Sequence, residues 1–377
     1  MKRWSKQVVA ASFFLLIFGA LPVVFDLNYL QLNNPISPFF GKMLLIILLI
    51  SVYTFPFILD QKKTTTQRLV YGALIGLSII LAYIHISLVD VNHQAWQLKQ
   101  FVDIINQRGE IPHQYRFVPV GIIWWFVALS GKYLFASFIF RLIFQYAFLV
   151  AFYKLCQKYC SPLLSGVAIL IYATLYPLSI LYYKGQIIDP LFHFLFAAAL
   201  IFCIKKDLVA LFAIIILGVF VKESIILVVP LYFLLNRKSK GSLAGATGLV
   251  LAGVVVAVLI RMNFGYDLSM ARINGVPQLM IFSNLGIPGS KVEKVVNNLE
   301  IFIRYFHPAL FIFLWQGIII YFRKKIPQGV FYAALFLSIS IFVTNSFFGW
   351  NYESRNFVPA LIFLLPVAIS ALDQSSD

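Results

Sequence analysis

Long apolar runs alternate with short polar segments along most of the chain. A helix needs about twenty apolar residues to cross the hydrocarbon core of a bilayer, and most of these runs approach that length. They predict about 12 transmembrane helices, at 8–25, 42–59, 69–89, 133–152, 162–182, 189–204, 207–221, 225–236, 243–261, 301–322, 328–347 and 357–372. The runs at 189–204, 207–221 and 225–236 are short for a complete crossing. The pattern therefore predicts an all-α fold, a polytopic membrane helix bundle.

The composition favours a membrane location. Only 12% of the 377 residues are charged and 61% are hydrophobic, whereas a soluble domain carries about 25% charged residues because its surface faces water. A chain of this length could hold roughly two or three soluble domains, but its polar stretches are too short to form one. We therefore expect one membrane domain with external loops.

Basic residues cluster at alternate ends of the predicted helices. The clusters are Lys2/Arg3/Lys6, Lys62/Lys63/Arg68, Lys154/Lys158, Lys205/Lys206, Arg237/Lys238/Lys240 and Arg323/Lys324/Lys325. With the helices above, every cluster falls on the same side, which the positive-inside rule identifies as cytoplasmic. The net charge of +16 is then a signal of orientation rather than of nucleic-acid binding. We predict a multi-pass protein of the plasma or inner membrane with both termini in the cytoplasm.

The longer connections fall on the opposite, external side. They are 90–132, 262–300 and 348–356, with tight turns near Lys184 and Lys222. Within the first of them, the apolar segment 117–130 leaves and returns on the same side. We expect it to form a re-entrant or interface-lying helix, with Trp124 and Trp125 in the aromatic belt of the membrane.

Ionisable residues near the membrane are energetically costly and usually functional or paired. Asp90 directly follows a predicted span at its external end, where a carboxylate could act as a general base toward an acceptor hydroxyl. The alternative is a helix-end residue solvated at the interface. Arg141 lies inside a predicted span, so it needs an internal partner and is interpreted as structural.

Three cations and one further acid occupy similar external positions. Arg116, Lys222 and Arg355 could each bind a phosphate group. Alternatively, Arg116 could extend to lipid phosphates, Lys222 could form an ion pair with its neighbour Glu223, and Arg355 could be an interface anchor. Asp189 precedes a proline at a helix start and could simply cap that helix.

Taken in chain order, these features resemble the GT-C superfamily of integral-membrane glycosyltransferases. The motifs are Asp90-Val-Asn-His, Arg116-Phe-Val-Pro119, Phe140-Arg141-Leu142, Gly185-Gln186-Ile-Ile-Asp189-Pro190, Phe220-Val-Lys222-Glu223 and Glu353-Ser-Arg355-Asn-Phe-Val-Pro359. The resemblance covers roughly 84–370. The sequence departs from the family at Val91, where family members often carry a second acidic residue.

The resemblance implies a GT-C-like core at 69–377, with external loops 90–132 and 262–300, preceded by two extra transmembrane helices within 1–68. It implies a mannosyltransferase-like enzyme that takes a sugar from a polyprenyl-phosphate-linked donor and transfers it, with inversion, on the external face. Asp90 would be the general base, and Arg116, Lys222 and Arg355 would hold the leaving phosphate. Supporting residues would be His93, His113, Tyr115, Gln186, Asp189, Glu223 and Glu353.

The expected partners are a polyprenyl-phosphate sugar lipid, membrane lipids and an acceptor of unknown class. The sequence demands no cofactor, although Asp90, Asp189 and Glu223 could converge on a divalent metal. Histidines are dispersed without His-x-x-x-His spacing, so a zinc site has no support. Three alternative functions are considered: a glycolipid transporter or flippase, a non-catalytic subunit of a polysaccharide assembly system, and a polysaccharide polymerase.

Overall fold

The computed structural model describes residues 63–108, 115–180, 188–264, 272–273, 276–277, 306–348 and 354–373. Its α-helices are α1 (Lys63–His85), α2 (Gln94–Ile105), α3 (Phe117–Ser130), α4 (Tyr133–Cys156), α5 (Pro162–Ile180), α6 (Asp189–Lys205), α7 (Leu208–Val219), α8 (Val228–Asn236), α9 (Ser242–Phe264), α10 (Leu314–Tyr321), α11 (Gln328–Phe348) and α12 (Val358–Asp373). Shorter helical turns are the π-turns Ile86–Asp90 and Ala309–Phe313, and the 3-10 turns Glu223–Leu227, Arg323–Lys325 and Ser354–Asn356. The described strands are β1 (Arg272–Ile273) and β2 (Val276–Pro277), which pair antiparallel.

Five described helical segments are long and apolar enough to cross a membrane. They are Val70–Asp90, Tyr133–Cys156, Pro162–Ile180, Ser242–Asn263 and Gln328–Phe347. Shorter apolar helices accompany them at Phe117–Ser130, Leu208–Val219, Glu223–Asn236, Phe306–Tyr321 and Val358–Asp373. The protein is therefore a helical, membrane-embedded bundle. The predicted count of about 12 spans is not confirmed, and the spans at 8–25 and 42–59 lie outside the described residues.

Two helices form the centre of the bundle. Every residue of α5 from Ser165 to Ile180 is buried, as is every residue of α12 from Val358 to Ile369. Around them, α4 packs along α6, and α12 contacts both α5 and α6. By contrast, α9 exposes valines and leucines along its length. Such a surface suits contact with lipid rather than water.

The three short predicted spans are confirmed as short helical segments. They correspond to α6, to α7, and to the 3-10 turn Glu223–Leu227 continued by α8. The chain reverses tightly between α6 and α7, where Lys206 has a left-handed backbone with φ of 61°. Asp207 then caps α7, because its Oδ1 accepts a hydrogen bond of 3.0 Å from the Ala210 amide.

Four of the predicted basic clusters lie at one end of the described bundle. Arg237 donates a hydrogen bond to Gln328, which joins the cluster after α8 to the start of α11. Asn236 donates to the Cys203 carbonyl at 2.9 Å, close to the lysines that end α6. The Cys160 thiol, just beyond the lysines of α4, donates to the Pro366 carbonyl at 3.2 Å. Asp90, Asp189, Lys222 and Arg355 lie at the other end, whose external orientation stays a prediction.

Close packing at Gly218 shapes the turn that carries Lys222. The Gly218 carbonyl accepts hydrogen bonds from the amides of Val221 (3.0 Å) and Lys222 (2.7 Å). A Cβ added at Gly218 would lie 2.6 Å from Cγ1 of Ile225, closer than real Cβ atoms approach. Because Ile225 is fully buried and branched at Cβ, it has little room to move away.

We therefore expect Gly218→Ala to destabilise the protein by about 1–3 kcal/mol, the usual cost of overpacking a tight contact. Thermal unfolding in lipid nanodiscs measures the effect. The matched control is Gly248→Ala, in α9, where an added Cβ meets nothing within 4 Å. That control should be neutral or slightly stabilising, because alanine favours a helix interior over glycine. Equal melting temperatures for the two variants would contradict the packing described for Gly218.

Candidate functional site

Asp90 lies on the π-turn that ends the first described span, and it forms a buried ion pair with Arg141 of α4. Its side chain is fully buried, and that of Arg141 is 1% exposed. The guanidinium donates from Nε to Oδ2 and from Nη2 to Oδ1, both at 2.8 Å. Arg141 sits just over two turns into α4, about 12 Å from the helix start. Arg141 therefore has the internal partner that its position requires.

Two further donors complete the bonding of Asp90. Gln97 of α2 donates to Oδ1 at 2.8 Å, and Ser137, one turn before Arg141 on α4, donates to Oδ2 at 2.9 Å. The interpretation of Asp90 as a solvated helix end is therefore wrong, because α2 and α4 cover it. We call Asp90, Arg141, Gln97 and Ser137 the first cluster.

A second cluster gathers around Asp189, the first residue of α6. Nη1 of Arg355 lies 3.7 Å from Oδ2 of Asp189, within ion-pair range but beyond a hydrogen bond, and both side chains are buried. Within the described part of the chain, neither carboxylate oxygen of Asp189 accepts a hydrogen bond. The capping interpretation is therefore wrong: the side chain of Asp189 faces cations rather than the amides of its helix.

Lys222 belongs to the same second cluster. Its ammonium lies within electrostatic range of Asp189 and 5.0 Å from the ring centroid of Phe192. It donates to Asn356 Oδ1 at 3.3 Å, in the turn that carries Arg355. Two cations that belong to separate sequence motifs thus lie near one carboxylate.

The start of α3 packs against the turn that carries Lys222. The Phe117 and Phe220 rings are 5.3 Å apart with an edge-to-face geometry, which places the half-buried Arg116 in this region. Glu223 pairs with Arg261 of α9 at 3.0 Å, and that guanidinium lies 5.8 Å from the Tyr115 ring centroid. Tyr115 and Glu223, both predicted as supporting residues, are thus bridged by Arg261.

Two histidines and a tyrosine lie between or beside the clusters, and sequence reasoning missed them. His85 shares a hydrogen bond of 2.8 Å between its Nδ1 and the Tyr176 hydroxyl. His85 also lies within electrostatic range of both Asp90 and Asp189. His193 follows Asp189 by one helical turn and is buried. The sequence did contain a signal for these histidines: each lies about one helical turn from an aspartate, His85 from Asp90 and His193 from Asp189, within an apolar run.

The remaining predicted residues are His93, His113, Gln186 and Glu353. His93 is half-buried at the start of α2. His113, Gln186 and Glu353 lie outside the described residues.

Three acids were considered as joint ligands of a metal, and each of them forms an ion pair with a different arginine. The pairs are Asp90 with Arg141, Asp189 with Arg355, and Glu223 with Arg261. In the described ranges, no three His, Cys, Asp or Glu side chains are grouped so that they could hold a metal ion.

Comparisons with models of protein families, with curated proteins and with solved structures find no match.

The first cluster makes a direct prediction for stability. Arg141→Met leaves the Asp90 carboxylate buried without its counter-charge, so we expect a loss of about 3–5 kcal/mol. The double variant Asp90→Leu/Arg141→Met removes both charges and should regain most of that loss. Unfolding in nanodiscs measures all three proteins.

Lys99→Met is the matched control, because it breaks a surface ion pair with Asp103 whose lysine is 77% exposed. Such pairs contribute at most about 1 kcal/mol. A double variant no more stable than Arg141→Met would contradict the pairing of Asp90 with Arg141.

Proposed function

We propose that the protein is a membrane glycosyltransferase that transfers a sugar from a polyprenyl-phosphate-linked donor to an acceptor on the external face. The observation that carries the proposal is the meeting of Lys222 and Arg355 beside the buried Asp189. The two cations come from distant parts of the chain and lie near the same buried carboxylate. Two neighbouring cations suit an anionic ligand.

Phosphate is the anion that this arrangement fits best. An arginine can bind two phosphate oxygens at once, and a lysine adds a compact point charge. As the sugar leaves a phosphate diester, negative charge builds up on the departing phosphate oxygens, and positioned cations stabilise that charge most strongly in the transition state. A lipid tail on the phosphate would lie among the apolar helices of the bundle.

The proposed reaction is a single displacement. The acceptor hydroxyl oxygen forms a bond to the anomeric carbon on the face opposite the phosphate. The bond between that carbon and the phosphate oxygen breaks, and its electron pair leaves with polyprenyl phosphate. The acceptor proton passes to a base. Displacement from the opposite face inverts the configuration at the anomeric carbon.

Asp90 is the proposed base, and its surroundings constrain that role. A carboxylate that accepts hydrogen bonds from Arg141, Gln97 and Ser137 is a weak base. To take a proton, Asp90 must exchange at least one of these partners for the acceptor hydroxyl. Gln97 and Ser137, which are neutral, are the partners that cost least to displace.

The closed bonding of Asp90 favours a second candidate, a glycolipid transporter or flippase. A transporter would need the same phosphate site at Lys222 and Arg355 but no base. Its Asp90–Arg141 pair would be purely structural. Breakage of the bond between sugar and phosphate separates the two functions, because only the transferase releases polyprenyl phosphate.

We expect Lys222→Gln and Arg355→Gln each to lower kcat/KM by about a hundredfold, because each removes a charge that stabilises the leaving phosphate. The assay uses purified protein in nanodiscs, a panel of polyprenyl-phosphate hexoses with acceptor extract, and detection of released polyprenyl phosphate. Lys99→Gln, which alters an exposed lysine, is the control and should match the wild type. Movement of the intact lipid between leaflets, with no release, would contradict the transferase and support the transporter.

A separate prediction concerns the base. Asp90→Asn alone strands the Arg141 charge, so the informative variant is Asp90→Asn/Arg141→Gln, which removes both charges of the pair. We expect it to bind the donor but to lose transfer by about a hundredfold or more, the usual contribution of a general base. The single variant Arg141→Gln distinguishes the effect of losing Arg141 on transfer from the effect of losing Asp90. Turnover of the double variant within a few-fold of the wild type would exclude Asp90 as the base.

A further inference from the structure

Buried polar atoms without partners surround the second cluster. Within the described residues, both carboxylate oxygens of Asp189, both ring nitrogens of His193 and the hydroxyl of Ser354 form no hydrogen bond. These side chains belong to residues only 3%, 1% and 1% exposed, respectively. Leaving such groups unpaired in a buried environment is costly, and buried polar side chains in folded proteins are rarely left so. The polar groups of a ligand would complete the bonding of these atoms.

The unpaired atoms share one location. Asp189 and His193 are four residues apart on α6, so they project from the same face of the helix. Lys222 and Arg355 lie within electrostatic range of both side chains, and Ser354 directly precedes Arg355. The Phe148 ring approaches His193 with centroids 5.8 Å apart. Polar atoms and an aromatic ring thus adjoin the two cations that are proposed to hold the phosphate.

We propose that Asp189 and His193 form a subsite for neutral hydroxyl groups, which belong to the head group attached to the bound phosphate. This inference rests on the proposed phosphate site at Lys222 and Arg355. It adds the chemical class of the head group, an uncharged sugar, and the side chains that recognise it.

The chemistry of the unpaired atoms selects hydroxyl groups. A carboxylate only accepts hydrogen bonds, whereas a neutral imidazole offers one donor and one acceptor. A hydroxyl both donates and accepts, so adjacent sugar hydroxyls can satisfy Asp189 and His193 together. With the phosphate bound, an acidic head group would place a further negative charge beside Asp189, and an ammonium group would place a further positive charge beside Lys222 and Arg355. An alkyl chain would leave every one of these atoms unpaired.

The experiment measures the affinities of two ligands for protein in nanodiscs: polyprenyl phosphate alone, and polyprenyl phosphate carrying a neutral hexose. We expect the wild type to bind the hexose lipid at least about tenfold more tightly. His193→Phe should weaken hexose-lipid binding about tenfold to a hundredfold, the effect of losing one or two buried hydrogen bonds. Its affinity for polyprenyl phosphate alone should not change.

His193→Phe should also keep or raise the melting temperature, because it replaces two unpaired nitrogens with apolar atoms. His193→Leu is the second variant if the phenyl ring is too large for the site. The matched control is His307→Phe, which alters another buried histidine, in the helix Phe306–Tyr321. It should leave the ratio of the two affinities unchanged.

The contrary results are distinct from one another. Equal affinity of the wild type for both lipids would overturn the sugar subsite and leave the phosphate site intact. If the His193 variants lost affinity for both lipids to the same extent and melted at a lower temperature, His193 would be structural and the inference would be overturned. Failure of the wild type to bind either lipid would overturn the proposed function and the inference with it.

Discussion

A charged side chain inside a bilayer-embedded bundle needs a partner, and this requirement organises one end of the structure. Asp90 and Arg141 meet it most completely, with two parallel hydrogen bonds and full burial. Their pair fastens the π-turn after α1 to α4, and Gln97 adds α2 to the same contact. Because removal of either charge would leave the other stranded, the relative position of these three elements is tightly constrained.

The second cluster meets the same requirement only in part. Asp189 lies beside two cations, yet its oxygens form no hydrogen bond within the described chain, and His193 nearby is equally unpaired. A carboxylate whose two oxygens both accept hydrogen bonds is suited to holding helices together, whereas one whose oxygens accept none is suited to binding a ligand. This contrast moves the centre of the proposed site from Asp90 toward Asp189, Lys222 and Arg355.

The sequence predicts the long apolar helices of the described residues because a membrane span is a local property of about twenty residues. The short elements α6, α7 and α8 were predictable for the same reason. Pairing across the bundle was not: Asp90 and Arg141 are 51 residues apart, and no local pattern links them. The capping role considered for Asp189 is a local inference that tertiary packing overrides, since Arg355 and Lys222 come from distant turns. His193 was hidden because a single histidine in an apolar run has no distinctive spacing.

The most direct test is a cryo-electron microscopy structure of the protein in lipid nanodiscs with a polyprenyl-phosphate hexose bound. The account predicts phosphate density within hydrogen-bonding distance of Lys222 and Arg355. It also predicts sugar density against Asp189 and His193, and a lipid tail that leaves between helices. Density for the phosphate elsewhere on the protein, with the Lys222–Asp189–Arg355 cluster unchanged, would contradict the claim that these residues form the ligand site.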